Sequence, residues 1–195
     1  MLNKIIYNYL KKSNINKFIF IGYSGGIDST VLLNLTNIIF KQKNYYIFAI
    51  HINHNINKNN NIWEKHCILY CNIKNISLLI IRIKIKIKLN LEKKCRNFRL
   101  EIWNKIIPNN SSLLLAHHND DQIETIFLKL IKGINYLSKI YGIKKKIKFK
   151  KIYIIKPLLN IEKNFIKYYA YKNKLLWIND NSNNNNKYDR NFIRN

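Results

Sequence analysis

The chain alternates between two patterns of hydrophobic positions. Short apolar runs, which are typical of buried strands, are separated by stretches in which apolar residues recur at helical spacing. The predicted strands lie at residues 18–22, 45–50, 77–81, 112–116 and 148–156. The predicted helices lie at residues 3–12, 27–40, 62–74, 90–107, 119–132 and 160–174. Because strands that alternate with helices form βαβ units, we expect an α/β fold: a doubly wound, mainly parallel five-stranded sheet with helices on both faces.

The apolar residues of two predicted helices suggest which faces point inward. For residues 90–107 the expected buried stripe is Leu91, Cys95, Phe98, Ile102 and Ile106, with Arg96, Arg99 and Trp103 on another face. For the helix that ends near residue 132, the expected inward positions are Ile123, Ile126, Phe127, Leu130 and Ile131. Residues 81–89 instead alternate with a period of two, which predicts an extended segment with one solvent-facing side.

The turn after the first predicted strand has the chemistry of a phosphate site. Residues 23–30 are Tyr-Ser-Gly-Gly-Ile-Asp-Ser-Thr. Adjacent glycines let the backbone approach a ligand closely, and the following helix offers free N–H groups and the positive end of its dipole. Asp28 would repel phosphate directly, so a Mg²⁺ ion between the two is expected. The alternative is an ordinary strand-to-helix turn with an aspartate near the helix start.

A second polar group follows the fourth predicted strand. Asp120, Asp121 and Glu124 lie on one side of a first helical turn, in a chain with only 10 acidic residues. They suit acid–base work or Mg²⁺ binding, although acids also favour a helix N-terminus for structural reasons. His117 is a candidate contact to a nucleobase or phosphate, whereas His117 and His118 also fit structural roles. Both groups, and residues 51–55, follow predicted strands at the edge where open α/β sheets bind ligands.

Net charge and amino-acid composition indicate which kind of partner and which cellular compartment to expect. The net charge is +25, from 35 basic and 10 acidic residues, which favours a polyanion such as nucleic acid as a partner. The abundance of Lys, Asn, Ile, Tyr and Phe offers another explanation of the positive charge. An A+T-rich genome favours the codons of these residues, so many lysines could accumulate on solvated surfaces without a binding role. Three cysteines indicate a reducing compartment, and Cys67 and Cys71 are interpreted as core residues. No membrane span or signal peptide is expected, which favours the cytoplasm.

Residues 24–29 match all the fixed positions of S-G-G-x-D-S, and the turn resembles the loop of the PP-loop ATP pyrophosphatases. Across nearly the whole chain, the sequence resembles the N-terminal domain of the tRNA(Ile)-lysidine synthases. This resemblance is carried by residues 24–29, by residues 51–54 with Trp63, by residues 117–125, and by residues 180–183 with 188–194. Arg96 and Arg99 also fall where that family has an arginine-bearing helix.

The resemblance implies an adenine nucleotide alpha hydrolase-like fold and a carbon–nitrogen ligase that uses ATP and Mg²⁺. ATP would adenylate the C2 oxygen of the wobble cytidine in an isoleucine tRNA with a CAU anticodon, and pyrophosphate would leave. The side-chain amine of free lysine would then attack C2 and AMP would leave. The product, lysidine, changes codon reading from AUG to AUA.

The resemblance also implies roles for individual residues. The ATP-binding set is Ser24, Gly25, Gly26, Ile27, Asp28 and Ser29, with Asp28 also at the metal. Asp121 and Glu124 would bind or deprotonate the lysine amine, and His117 and Arg99 would contact the cytidine or the adenylate. The expected tRNA contacts are Arg96, Arg99, Arg190 and Arg194.

The expected organisation is a catalytic PP-loop domain at residues 1–179 and a basic tail at residues 180–195, without the further C-terminal tRNA-binding domains of the family. The oligomeric state stays open, with a homodimer as one option. Two alternatives also stay open. One is another adenylating PP-loop enzyme, such as a tRNA thiolase or an amide-forming synthetase; the lack of paired cysteines suited to sulfur transfer argues against the thiolase. The other is a non-catalytic, basic RNA-binding protein.

Overall fold

The computed structural model describes residues 2–41, 43–55, 60–83, 91–131, 133 and 141–179, with only the backbone described at residues 91–93. The helices in this part of the chain are α1 (Leu2–Lys12), α2 (Ile27–Phe40), α3 (Asn60–Lys74), α4 (Leu91–Ile106), α5 (Asn119–Ile131) and α6 (Lys163–Lys172). The strands are β1 (Phe18–Gly22), β2 (Tyr46–Asn53), β3 (Ser77–Arg82), β4 (Ser112–Leu114), β5 (Lys146–Phe149) and β6 (Ile152–Ile155).

These strands form one sheet in the order β3-β2-β1-β4-β6-β5. All neighbouring pairs are parallel except β5 and β6, which are antiparallel. The order reverses direction beside β1, because β2 lies on one side of it and β4 on the other. A crevice forms outside the carboxyl ends of the strands at such a switch point, and ligands of open α/β sheets bind there. The predicted α/β class and the mainly parallel sheet are confirmed.

Helices cover both faces of the sheet, as expected. One hydrophobic core joins α1, α2, α3 and α6 to the sheet, and a second core packs α4 against the opposite face. Helix α2 lies deepest, because eight consecutive residues, 29–36, are buried. A helix that is buried on all sides holds its N-terminus, and the turn before it, in a fixed place.

The prediction of a single fifth strand at residues 148–156 was wrong. This stretch belongs to a hairpin of two strands, β5 and β6, which raises the sheet to six strands. The turn contains Lys150, which has a left-handed φ of 49°. Neither glycine nor proline marks this turn, so the sequence carried no ordinary turn signal. Strand β2 also runs three residues further than predicted, so His51 and Asn53 lie within it.

The predicted inward stripe of α4 was displaced. Trp103 is buried, at 6% exposure, and packs beside Gly22 and Leu115, whereas Phe98 is 43% exposed. More than one face of this helix carries large apolar residues, because Trp103 lies on a different face from Phe98. The register that buries the large indole ring removes the most apolar surface from water.

The inward face of α5 was also predicted wrongly. Ile123, Phe127 and Ile131 are exposed, whereas Glu124 is only 5% exposed. The helix presents its acidic first turn to the sheet edge, so the stripe on the opposite side faces away from the core described above.

Three sequence expectations fall outside the described residues. They are most of the extended segment at residues 81–89, the tail at residues 180–195, and the tRNA contacts Arg190 and Arg194. The division at residue 179 therefore stays a prediction. None of the helices in the described ranges is long and apolar enough to cross a membrane.

A buried carboxylate joins α3 to the edge of the sheet. The side chain of Glu64 is 8% exposed and accepts hydrogen bonds from Asn53 Nδ2 at 3.0 Å and from Arg82 Nη2 at 2.5 Å. The Arg82 guanidinium, and then the Asn53 amide, lower the pKa of Glu64 to about 2. Because this pKa is depressed, the interaction stabilises the fold at pH values above the ordinary glutamate pKa and is lost as the pH falls toward 2.

Replacing Glu64 by glutamine should therefore lower the free energy of unfolding by about 2 kcal/mol at pH 7, since it removes hydrogen bonds to a charged group. The deficit should shrink as the pH falls from about 4.5 toward 2, because the carboxylate of the unfolded chain protonates first and the folded carboxylate, with its pKa of about 2, protonates last. Urea unfolding at several pH values measures both effects. Glu101→Gln is the matched control, because Glu101 pairs with Lys150 on the exposed surface and should cost less than about 1 kcal/mol. Equal costs for the two variants would contradict a special role for Glu64.

Candidate active site

The turn between β1 and α2 has a backbone that requires glycine. Gly25 has a φ of +85°, a conformation that side chains disfavour. A Cβ atom there would lie 3.1 Å from Cys67 Sγ and 3.6 Å from the ring of His66, both on α3. Backbone strain and close packing therefore exclude any larger residue at this position.

Two serine hydroxyls hold this turn in shape. Ser29 Oγ accepts a hydrogen bond from Ser24 N at 3.2 Å and donates one to the carbonyl of Gly26 at 3.0 Å. Ser24 Oγ lies 3.0 Å from Ser29 Oγ and accepts a bond from Gly26 N at 3.3 Å. Gly26 is the N-cap of α2 and supplies no side-chain cap, so the first turn of α2 keeps donors for an anion.

Four charged or titratable side chains from separate elements meet in front of this turn. Lys163 Nζ, at the start of α6, lies 2.5 Å and 2.6 Å from the two carboxylate oxygens of Asp28. His118 Nε2 lies 3.7 Å from Asp28 Oδ2 and 3.6 Å from Asp121 Oδ2. The cluster therefore bridges α2, α5 and α6 at the switch point of the sheet.

The first turn of α5 fixes the acidic half of the cluster. His118 is the residue before α5, and its backbone N–H donates to Asp121 Oδ2 at 2.9 Å, the reciprocal contact of a capping box. The His118 ring is 6% exposed and also has Asp120 Oδ1 at 3.8 Å from Nδ1. Glu124 is buried one turn after Asp120. Asp121 thus accepts the capping hydrogen bond and also lies beside His118, whereas its role in acid–base work or Mg²⁺ binding stays a prediction.

The donor set suits a magnesium ion that arrives with phosphate. Asp28 Oδ2 and Asp121 Oδ2 both lie within 4 Å of the same imidazole nitrogen, which places the two carboxylates in one small volume. The described residues include no cluster of three His, Cys, Asp or Glu side chains placed to hold a metal by themselves. Mg²⁺ usually binds one or two carboxylates and takes its remaining ligands from phosphates and water, which fits this arrangement.

His51, in the motif at residues 51–55, contacts the backbone of the turn between β1 and α2. His51 Nδ1 lies 3.0 Å from the carbonyl of Tyr23, and Tyr23 N donates to the carbonyl of Ile50 at 2.9 Å. Burial holds the pKa of His51 below its usual value, which favours the neutral imidazole. Cys67 Sγ lies 3.4 Å from the same ring nitrogen. His51 therefore positions the residue that leads into Ser24.

Helix α4, which carries Arg96 and Arg99, packs on the face of the sheet opposite α2 and α3. Burial, and then the charge of Arg99, lower the pKa of His54 to about 4. Burial, and then the charge of Arg96, lower the pKa of Lys156 to about 8. His117 is half-buried between β4 and α5, one residue before His118.

Sequence reasoning did not identify two central residues, Lys163 and His118. Lys163 lies 135 positions after Asp28, so no local pattern joins the two. One signal was present, because a lysine in the first turn of a helix opposes the helix dipole and needs a compensating anion. Of the two adjacent histidines, the sequence analysis assigned the substrate contact to His117. The ring that lies between Asp28 and Asp121 belongs to His118.

Comparisons with known proteins identify relatives of this chain. The PP-loop domain family matches residues 2–195. The chain is 41% identical over 206 residues to the tRNA(Ile)-lysidine synthase of Buchnera aphidicola subsp. Acyrthosiphon pisum, covering 100% of this chain and 43% of that protein. It is 36% identical over 202 residues to the tRNA(Ile)-lysidine synthase of Haemophilus influenzae, covering 97% and 45% respectively. The chain therefore spans less than half the length of these two relatives.

Solved structures with a similar fold come from other enzymes. A U34-tRNA thiolase from Methanococcus maripaludis has a TM-score of 0.74 at 22% identity, covering 91% of this chain and 63% of that chain. An NH3-dependent NAD synthetase from Campylobacter jejuni has a TM-score of 0.57 at 19% identity, covering 89% and 71%. At these identities the likeness concerns the fold alone, and it does not choose between ligation, sulfur transfer and amide formation.

Proposed function

Because the chain belongs to the PP-loop family, we propose that it is the catalytic part of a tRNA(Ile)-lysidine synthase. In this proposal it adenylates the wobble cytidine of an isoleucine tRNA with a CAU anticodon and then joins free lysine to C2 of that base. The observation that carries it is the meeting of Asp28, Asp121 and Lys163 around His118, directly in front of an uncapped helix N-terminus. We also propose that the reaction takes place in the cytoplasm.

The first step transfers the adenylyl group. The C2 oxygen of the cytidine attacks the α-phosphorus of ATP, and the bond to pyrophosphate breaks. The N–H groups at the start of α2 bind the phosphate charge, which grows on the leaving group. Asp28 would hold Mg²⁺, which would neutralise part of that charge when bound. Lys163 pairs with Asp28 and would donate to the same phosphates.

The second step forms the carbon–nitrogen bond. The side-chain amine of lysine attacks C2, and AMP leaves with the former C2 oxygen. Lysine enters as an ammonium ion, and only the neutral amine is a nucleophile, so its protons must pass to a base. Asp121 and the buried Glu124 supply carboxylates on one side of the crevice for binding the ammonium and accepting a proton. Arg99 and Arg96, on the α4 side, would contact the cytidine and the tRNA backbone.

Sulfur transfer receives no support from Cys67 or Cys71. Burial raises the pKa of Cys67 and of Cys71 to about 12. A thiol with such a pKa is almost entirely protonated at neutral pH, and the thiol form is a poor nucleophile. The two residues pack in the core between α3 and the sheet, as the sequence predicted.

The direct test is incorporation of labelled lysine into isoleucine tRNA and elongator methionine tRNA, both with the CAU anticodon, in the presence of ATP and Mg²⁺. We expect lysine to enter a CAU-bearing tRNA with release of one AMP per lysine. Labelling of the isoleucine tRNA alone would assign tRNA selection to this chain. Labelling of both would assign that selection to another part of a longer protein. Protein that binds ATP but labels neither tRNA would overturn the proposal.

Lys163 is expected to contribute to ATP use through its charge. Replacing it by methionine keeps much of the side-chain volume and should lower kcat/KM for ATP about 10²-fold, the usual effect of removing one donor to a reacting phosphate. Lys163→Arg should recover part of this loss. Lys167→Met is the control, because Lys167 is exposed one turn further along α6. Steady-state AMP release measures all three variants, and similar losses for Lys163→Met and Lys167→Met would exclude a specific role.

A further inference from the structure

The segment that follows α6 returns to the glycine turn. We call residues 175–179 the strap. Leu175 is buried at 5% exposure and its N–H donates to the carbonyl of Ala170 at 3.0 Å, which anchors the strap to the end of α6. Three residues later, Ile178 N donates to the carbonyl of Gly25 at 2.9 Å. The backbone of Leu176 bonds to the His66 ring of α3, so the strap is fixed on both sides.

The bond from Ile178 acts on the part of the loop that matters for phosphate. A peptide unit is planar and trans, so the carbonyl of Gly25 and the N–H of Gly26 point in opposite directions. Holding that carbonyl against the strap therefore fixes the whole Gly25–Gly26 peptide, including the Gly26 N–H that donates to Ser24 Oγ at 3.3 Å within the turn. Gly25 has no side chain of its own to restrain it, and its φ of +85° lies in a region that glycine enters and leaves readily.

The side chain of Ile178, in the strap, also packs close to Gly25. Ile178 Cδ1 would lie 3.7 Å from a Cβ atom at Gly25, and Cys67 Sγ of α3 would lie 3.1 Å from it on another side. Within the loop, the Gly25 carbonyl also accepts a long hydrogen bond, from Thr30 Oγ1 at 3.5 Å. The 2.9 Å bond from Ile178 is thus the stronger of these two restraints on the carbonyl.

We propose that Ile178 is a positioning residue for ATP. Its backbone N–H holds the Gly25–Gly26 peptide in the orientation that shapes the turn before α2, whose first-turn N–H groups receive the phosphates, and the strap makes this bond possible by crossing the loop. The proposal deepens the function assigned above, because it concerns how the same loop binds its nucleotide. It involves a backbone group, which explains why no side-chain motif at residues 175–179 signals it.

The test replaces the Ile178 amide by an ester, through incorporation of the α-hydroxy analogue of isoleucine. This change removes the N–H and keeps the side chain. We expect the dissociation constant for Mg·ATP, measured without tRNA or lysine, to rise about 3- to 10-fold, as the loss of one hydrogen bond implies. In turnover, KM for ATP should rise by a similar factor, while KM for lysine stays within 2-fold of wild type.

The matched control is the same ester at Trp177, whose amide does not bond to the glycine turn; it should leave ATP affinity unchanged. Thermal unfolding of both proteins checks that each is folded. An unchanged ATP dissociation constant for the Ile178 ester, or equal losses for the two esters, would overturn the proposal. ATP binding is measured without the tRNA reaction, so a failure of the ligase assignment is distinguished from a failure of the strap proposal.

Discussion

Replacing Asp28 by asparagine should lower kcat/KM for lysine incorporation about 10³-fold. The substitution keeps the size of the side chain but removes its charge, so it takes away both the expected magnesium ligand and the counter-ion that lies 2.5 Å from Lys163. Removing a preorganised electrostatic contact to a reacting phosphate commonly costs 10² to 10³, and loss of the metal's charge adds to this. Lysine-dependent labelling of tRNA at saturating and limiting ATP measures the loss.

Asp120→Asn is the matched control for this prediction. Asp120 contacts the same histidine, with Oδ1 at 3.8 Å from His118 Nδ1, but its side chain is 49% exposed. Its replacement should change kcat/KM less than about 3-fold, because an exposed charge at that distance contributes little. If Asp28→Asn and Asp120→Asn lowered activity equally, the loop carboxylate would have no special place in the chemistry.

Replacing Gly25 by alanine should both destabilise the protein and weaken ATP binding. The φ of +85° disfavours any side chain, and the new Cβ would lie 3.1 Å from Cys67 Sγ. We expect a loss of about 1–3 kcal/mol in the free energy of unfolding, the usual cost of a residue held in a strained backbone conformation. ATP affinity should fall more than about 10-fold, since the turn must distort to relieve the contact. Urea unfolding and equilibrium nucleotide binding measure the two effects.

Gly133 separates strain from function. It also has a positive φ, of 69°, but a Cβ atom there would have no neighbour within 4 Å among the residues that the structure describes. Gly133→Ala should therefore cost about 1 kcal/mol in stability through backbone strain alone and leave ATP affinity unchanged. The interpretation of Gly25 would be wrong if the two alanine variants bound ATP equally well.

The elements that the sequence predicted best are those with strong local signals. The apolar runs of β1 to β4, and the glycines and hydroxyls of the turn before α2, are local features, and the structure contains them where expected. The hairpin of β5 and β6 was missed because a lysine, Lys150, takes the left-handed turn position without glycine. Lysine is not a typical turn residue, so the composition of this stretch does not indicate a turn.

The sequence predicted individual residues of the candidate site, but it did not predict which side chains meet there. Asp28 and Asp121 were identified from their motifs, and both lie within 4 Å of His118 Nε2. The choice between His117 and His118 depends on the direction of two adjacent side chains where a strand ends and a helix begins, which periodicity does not specify. Lys163 depends on a contact across most of the chain, and only the packing of α6 against α2 brings it to the site.

The burial of α2 has a consequence for the dynamics of the nucleotide loop. Residues 29–36 are enclosed by both the sheet and the surrounding helices, so no small opening exposes their amides. Hydrogen exchange at these amides should therefore proceed only through unfolding of the whole domain, whereas frayed surface helices exchange through local opening. Nucleotide bound at the start of this helix would then slow exchange throughout the domain, and protection at sites far from the loop would report its occupancy.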